Sequence, residues 1–150
     1  MNENLVIIPC YNEKENISEI IEYVFNMNFE TDILVVDDNS PDGTARIVER
    51  KINKYNDRLF LIVRDGKHGL GTAYIEGFKW ALQNKYQYIF EMDADFSHNP
   101  DDLLRLSNAC KAGADVAVGS RYIDGINVVN WSIGRILLSY GASVFTRAVT

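Results

Sequence analysis

The chain has 150 residues, of which 47% are hydrophobic and 24% charged, and its formal net charge at pH 7 is −6. These values exclude a disordered chain and argue against a nucleic-acid-binding protein, which concentrates Lys and Arg on one face. The two cysteines lack metal-ligand spacing, and the sequence shows neither a basic signal segment nor an apolar run long enough to span a bilayer. We therefore predict a cytoplasmic protein whose membrane contact is at most peripheral.

Short apolar runs rich in Val and Ile alternate with helical patterns along the chain. Strands that are buried on both faces have this composition, and the alternation favours a mostly parallel sheet covered by helices. The predicted strands are residues 5–8, 33–37, 59–63, 88–92 and 115–119. We therefore expect a doubly wound α/β fold formed by residues 1–150 as a single domain, with ligands beyond the carboxyl ends of the strands.

Helices are predicted between these strands. The first has its apolar side chains on one helical face. These side chains are Ile17, Ile20, Ile21, Val24 and Phe25. Residues 44–53 and 71–84 predict the second and third helices, and Pro100 can open a fourth at its first turn.

A last helical pattern begins near Trp131. Its apolar stripe consists of Ile133, Ile136, Leu137, Tyr140 and Val144. Such a stripe can lie on a membrane surface, or it can pack in a core or dimer interface, and both alternatives stay open. The pattern reaches Thr150 without a glycine cap or a terminal proline, which predicts a domain truncated at its carboxyl terminus.

Polar side chains follow the first two predicted strands. Pro9 stops strand pairing, Tyr11 can stack on a flat base, and Glu13 can accept hydrogen bonds from a base or ribose. The same residues can also form a simple strand exit before a helix. The adjacent acids Asp37 and Asp38 are costly to bury without donors, so we expect at least one of them to bond a ribose or base edge.

Two turns follow. Residues 42–44, Asp-Gly-Thr, have the composition of a turn and helix cap and are predicted to be structural. Residues 64–72 contain three glycines, whose backbone amides can approach an anion ahead of a helix, and Lys67 adds positive charge. This run matches neither the G-x-G-x-x-G nor the Walker pattern. A mobile glycine-rich lid is an equal alternative.

Asp93 and Asp95 follow the fourth predicted strand. Carboxylates at i and i+2 of a strand end point to the same side, about 7 Å apart along the chain, and can close on one cation. Oxygen ligands suit Mg2+ or Mn2+, which proteins hold with one or two carboxylates plus substrate phosphates. Ser97 and His98 can fill a third position, directly or through water. The alternative is a solvated acidic turn.

After the fifth predicted strand, Arg121 can fork onto a diphosphate and offset the charge of a leaving group. A surface ion pair is the alternative for this arginine. A second class of enzyme is also open. In an aspartyl phosphotransferase, a strand-terminal D-x-D supplies a nucleophile and an acid.

Five segments, taken together and in this order, resemble one family. They are residues 8–13, 35–44, 69–73, 93–98 and 119–122. They look like the dolichol-phosphate (polyprenol-phosphate) mannosyltransferases of glycosyltransferase family 2. The resemblance implies a GT-A fold, a nucleotide-sugar donor (GDP-mannose in the namesake), a divalent metal, a dolichyl or polyprenyl phosphate acceptor, and inversion at the anomeric carbon.

The resemblance also implies roles for individual residues. The nucleoside would be held by Pro9, Tyr11, Glu13, Val36 and Asp38. The metal and the diphosphate would be surrounded by Asp93, Ala94 and Asp95, with Ser97 as a further metal ligand. The donor phosphates would contact Arg121 and Arg135, which makes Asp95 and Arg121 the expected catalytic residues.

Two further alternatives stay within this resemblance. The chain can be a donor-binding fragment without turnover, or it can transfer glucose or another sugar. Transfer to a lipid phosphate places the expected protein at the cytosolic face of a membrane. It needs no strong general base, because the acceptor oxygen is already ionised near neutral pH. What must be stabilised is the departing nucleoside diphosphate.

Overall fold

The structure is a computed structural model that describes residues 2–119 and 133–149. The chain divides into two compact units, Met1–Ala117 and Val118–Thr150, and the prediction that residues 1–150 form one domain stays a prediction. The elements of the first unit are β1 Asn4–Cys10, α1 Ile17–Asn26, β2 Asp32–Asp37, α2 Thr44–Ile52, β3 Leu59–Val63, α3 Leu70–Gln83, β4 Tyr88–Glu91 and α4 Asp102–Lys111. In the second unit, α5 spans Ile133–Val149.

The sheet has the strand order β3-β2-β1-β4, and every pair of neighbours is parallel. Its two central strands, β1 and β2, are buried almost throughout. This burial on both faces explains why their sequences are continuous apolar runs rather than alternating ones. Four predicted strands and the predicted parallel arrangement are confirmed.

Helices cover both faces of the sheet. Apolar side chains of α1, α2 and α4 pack with Val6 and Ile8 of β1. On the opposite face, α3 packs with Leu5 and Ile7. Successive residues of a strand point to opposite faces, so β1 contributes to two separate apolar layers.

The packing of α3 on β1 depends on a glycine. A Cβ built at Gly77 would lie 2.7 Å from Ile7 Cγ2 and 2.9 Å from its Cδ1. These distances are shorter than a van der Waals contact, so Gly77 lets the helix approach the sheet more closely than any other residue would allow.

Residues 42–44 are structural, as predicted. Asp42 accepts the N–H of Thr44 at 2.9 Å, its hydroxyl at 2.6 Å and the N–H of Lys14 at 3.0 Å. Gly43 has φ +91°, a left-handed conformation that glycine adopts at no steric cost. The turn thereby fixes the start of α2 and ties it to the segment after β1.

Several predicted boundaries differ from the structure. β1 continues through Pro9 to Cys10, which pairs with Asp37, so the expectation that Pro9 stops strand pairing is wrong. Residues 115–119 form no strand, and Val116 and Val118 are 77% and 79% exposed. An apolar pattern supplies strand propensity, but a strand forms only where a neighbour pairs with its backbone. Pro100 lies in the turn before α4, which begins two residues later at Asp102.

Candidate functional site

A cavity of about 300 Å³ lies at the carboxyl ends of β1, β2 and β4. It brings together seven of the predicted site residues. These are Pro9, Tyr11, Glu13, Asp38, Asp93, Ala94 and Asp95. The parallel register explains the gathering, because the carboxyl ends of parallel strands meet at one edge of the sheet.

Of the other four predicted residues, two are described and do not line the cavity, and the side chains of the other two are not described. Val36 is fully buried in the apolar layer under α3, so its side chain cannot reach a ligand in the cavity. Ser97 contacts Asp93 without lining the cavity. Arg121 and the side chain of Arg135 lie outside the described residues.

Asp37 is the last residue of β2 and Asp38 follows it, and both carboxylates accept hydrogen bonds from groups of the protein. Asp37 accepts the N–H of Ser40 at 2.8 Å and its hydroxyl at 2.6 Å. Asp38 forms an ion pair with Arg64, whose Nε donates to Oδ1 at 2.6 Å, and the N–H of His68 donates to Oδ2 at 3.3 Å. Donors within the protein satisfy both carboxylates, so their burial by itself does not require a ribose or base. Asp38 does line the cavity, and its contact with a nucleoside stays a prediction.

The D-x-D carboxylates reach the cavity from a turn rather than from a strand. β4 ends at Glu91, one residue before the predicted end, and the N–H of Met92 makes the last bond to β1. Residues 94–95 lie in a turn. Asp93 and Asp95 both line the cavity as expected. The reason given for this was wrong, because the two residues do not lie in a strand whose alternate side chains point to the same side.

Local hydrogen bonds hold this turn. The Asp93 N–H donates to His98 Nδ1 at 3.2 Å, and the Ser97 N–H donates to Asp95 Oδ1 at 2.9 Å. Burial raises the pKa of Asp95, but the hydrogen bonds from Ser97 outweigh it and leave that pKa below its ordinary value. Asp95 is therefore ionised at neutral pH.

The donor chemistry of the turn fits a hard divalent cation. Asp93 and Asp95 supply carboxylate oxygens, and the Ser97 hydroxyl lies 3.4 Å from Asp93 Oδ2. Within the part of the chain that the structure describes, no group of three or more His, Cys, Asp or Glu side chains is placed to hold a metal. Mg2+ is usually bound through one or two carboxylates completed by substrate phosphates.

Three residues that contact this site were not among the predicted site residues. Arg64 follows the end of β3, and the β2–β3 register, which pairs Asp37 with Val63, places it beside Asp38. Tyr74 donates its hydroxyl to Asp93 at 3.4 Å. Burial, followed by the charge of Asp93, raises the pKa of Tyr74, so its hydroxyl keeps its proton. Lys67 also lines the cavity.

Cys10 lies at the end of β1 and also lines the cavity. Burial, and then the charge of Asp37, raises the pKa of its thiol. Cys10 and Cys110 are both free cysteines.

A larger cavity of about 720 Å³ lies beside β3 and α3. Arg64 and His68 line it together with residues of α3, but none of the predicted site residues does. The smaller cavity is therefore the one where the candidate chemistry is gathered. Of the helices in residues 2–119 and 133–149, none has the length and apolarity needed to span a bilayer.

The fold and the cavity define an α/β protein with a ligand site at the strand ends, and comparison with known proteins identifies its family. The family described as "Glycosyl transferase family 2" matches residues 5–147. The chain belongs to this family.

Curated relatives carry closely related names. The chain is 47% identical over 143 residues to a polyprenol monophosphomannose synthase from Mycolicibacterium smegmatis, a match that covers 95% of the chain and 54% of that protein. It is 41% identical to an undecaprenyl-phosphate mannosyltransferase from Micrococcus luteus and to a dolichol-phosphate mannosyltransferase from Pyrococcus furiosus. These matches cover 95% of the chain and 58% and 40% of the respective relatives. The chain thus spans about half the length of the curated relatives it matches.

A solved structure is also similar. It is a mannosyltransferase from Pyrobaculum calidifontis in complex with GDP-Man and Mn2+, matched with 28% identity and a TM-score of 0.50 over 53% of this chain and 24% of that one. Together with the parallel sheet flanked by helices, this likeness confirms the predicted α/β GT-A fold.

Proposed function

We propose that the chain is the donor-binding part of an inverting, metal-dependent glycosyltransferase that moves mannose from GDP-mannose to a polyprenyl or dolichyl phosphate. The proposal is carried by one observation: side chains from the ends of β1, β2 and β4 line the same cavity of about 300 Å³. Family membership and the names of the relatives support the reaction class. An aspartyl phosphotransferase finds no support in the family match.

The nucleoside lies against the β1 and β2 side of the cavity in this proposal. Tyr11 offers a ring for a base, and Glu13 and Asp38 offer carboxylate oxygens to base or ribose donors. Glu13 is held in position, because its Oε2 accepts from Asn16 Nδ2 at 2.9 Å and its N–H donates to Thr44 Oγ1 at 3.0 Å. Val36 contributes through the core beneath this region.

The diphosphate lies against the β4 side. Asp93 and Asp95, with Ser97 beside them, would hold Mg2+ or Mn2+, which offsets charge on the departing nucleoside diphosphate. The neighbour bound to GDP-Man and Mn2+ supports this assignment. Arg121 and Arg135 are proposed to add positive charge at the donor phosphates.

No residue is needed as a strong base. An acceptor phosphate carries an ionised oxygen at neutral pH, so nucleophilic attack requires positioning rather than deprotonation. The task of the chain is to hold the donor in line and to stabilise negative charge as the glycosidic bond breaks. We place the reaction at the cytosolic face of a membrane, with peripheral contact by the chain.

Calorimetric titration tests the proposal. The 150-residue chain is titrated with GDP-mannose, UDP-glucose and UDP-N-acetylglucosamine, each with Mg2+, with Mn2+ and with neither. We expect binding of GDP-mannose that requires a divalent metal and that Asp95→Asn removes. Asp57→Asn, at an exposed position with φ 60° that asparagine tolerates, is the matched control and keeps full binding.

Two other outcomes redirect the assignment. Preference for UDP-glucose indicates a glucose transferase of the same family. GDP-mannose binding without mannose transfer to polyprenyl phosphate indicates a donor-binding fragment without turnover. Equal binding of GDP-mannose by Asp95→Asn would show that the metal role assigned to this carboxylate is wrong.

A further inference from the structure

The charged side chains that line the cavity are mostly acidic, although the proposed ligand carries a negatively charged diphosphate. Carboxylates of Glu13, Asp38, Asp93 and Asp95 line it, and of these Asp38 is paired with Arg64. Among the described lining residues, Lys67 is the sole cation. If the proposed function holds, the anionic donor therefore meets one fixed positive side chain in this part of the site.

Lys67 is held at the cavity by an aromatic contact. Its Nζ lies 4.1 Å from the centroid of the Tyr11 ring. An ammonium at this distance over an aromatic face is attracted by the ring quadrupole. The contact joins the segment after β1 to the loop after β3 and holds the exposed Lys67 side chain at the cavity.

The backbone on either side of Lys67 is anchored to the same cavity. On one side, the buried Arg64 donates to Asp38, to Gly69 O at 3.3 Å and to Thr72 Oγ1 at 2.8 Å. On the other side, the N–H of His68 donates to Asp38 Oδ2 at 3.3 Å. These hydrogen bonds hold the loop backbone at the cavity. We therefore expect the Lys67 side chain to reach a ligand by rotating, without movement of the loop.

The start of α3 lies beside this lysine. Gly69 and Leu70, the cap and first residue of the helix, line the cavity. A helix amino terminus carries partial positive charge and attracts anions. Lys67 and the helix terminus thus contribute positive charge to a lining that also contains Asp93 and Asp95.

We propose that Lys67, held over Tyr11, is a donor-binding residue that pairs with the diphosphate of the nucleotide sugar. On binding, the ammonium turns from the Tyr11 ring, which then receives the base, and serves as a protein-derived counter-charge at the diphosphate. The inference rests on the proposed function and extends it to a residue in the glycine-rich loop.

The test compares a ligand with the diphosphate and one without it. The whole 150-residue chain and its Lys67→Met variant are titrated in Mn2+ with GDP and with guanosine, in competition against a fluorescent GDP analogue. Loss of a hydrogen bond to a charged group lowers affinity about tenfold or more. We expect this loss for GDP, little change for guanosine, recovery in Lys67→Arg, and a weaker dependence of GDP affinity on NaCl in Lys67→Met.

The controls separate the possible failures. Lys85→Met removes an exposed lysine elsewhere and keeps GDP affinity. Unchanged GDP affinity in Lys67→Met, or equal losses for GDP and guanosine, overturns the role at the diphosphate while leaving the proposed function standing. A parent chain that binds neither GDP nor the fluorescent analogue overturns the proposed function and this inference with it.

Discussion

Arg64 and Asp38 form a buried ion pair in which Arg64 Nε donates to Asp38 Oδ1 at 2.6 Å, with the two side chains only 6% and 7% exposed. The pair connects the ends of β2 and β3 and supports the glycine-rich loop through Gly69 and Thr72. Arg64 is thus a positioning residue for the cavity rather than part of its lining.

Replacement of Arg64 by Met leaves the Asp38 carboxylate buried without its partner. Breaking a buried pair in this way costs about 3–5 kcal/mol of unfolding free energy, which urea denaturation measures. Arg50→Met, at an exposed position of α2, is the control and changes stability by less than about 0.5 kcal/mol. A loss below about 1 kcal/mol in Arg64→Met would mean that water replaces the guanidinium at Asp38.

A second prediction concerns Gly77, which lets α3 approach β1 closely. Gly77→Ala gains helix propensity of about 1 kcal/mol, but the new Cβ collides with the buried Ile7. Overpacking costs about 1–3 kcal/mol, so we expect a net loss of stability in urea denaturation. Gly71→Ala is the matched control, because a Cβ there meets nothing within 4 Å, and it should be neutral or stabilising. Equal effects of the two substitutions would contradict the close approach.

The two cysteines should differ in reactivity. The thiolate is the form that iodoacetamide alkylates, and a raised pKa lowers the thiolate fraction of Cys10 at pH 8. We expect Cys110, which is only partly buried, to be labelled first, and labelling of Cys10 to accelerate as the pH rises above 9. Mass spectrometry of peptides follows both sites, and urea-unfolded chain should lose the difference. Rapid labelling of Cys10 in the folded chain at pH 8 would be the contrary result.

The apolar stripe of α5 can bind a membrane surface or pack against protein, and vesicle flotation distinguishes these alternatives. Ile133, Leu137, Tyr140 and Val144 are each more than half exposed along this helix. If they dip into an interface, the combined substitutions Leu137→Asp and Val144→Asp should remove the chain from floated vesicles that contain anionic lipid. Ala142→Asp, on the opposite side of the helix, is the control and should still float. Flotation that survives both sets of substitutions would leave packing as the role of this stripe.

The fold could be predicted from the sequence where burial and pairing coincide. β1 and β2 have neighbours on both sides and helices on both faces, so each residue of their apolar runs is buried. Residues 115–119 have a similar composition but pair with no strand within residues 2–119 and 133–149, and composition carries no information about partners. The end of β4 was missed by one residue because the turn at Asp93 depends on a bond to the His98 side chain.

The site could be predicted as a set of residues but not as a set of contacts. Tyr11, Asp38 and Asp95 each follow the end of a strand, and this was enough to predict that they line one cavity. The partner of Asp38 was missed because a single sequence does not state which strands are neighbours, and only the β2–β3 register brings Arg64 beside it. The contact of Lys67 with Tyr11 depends on side-chain rotamers, which no sequence pattern encodes.

The pairing of β1 with β4 has a consequence for how the cavity comes into being. This ladder aligns Asn4 with Tyr88, so the acidic turn joins Tyr11 only after the intervening strands and helices have been synthesised and packed. Long-range pairings of this kind are slow, since chain entropy is lost before contacts are gained. The part of the cavity at β1 and β2, proposed for the nucleoside, needs only the pairing of these two strands, whereas the part proposed for the metal and diphosphate also needs the longer-range pairing of β1 with β4.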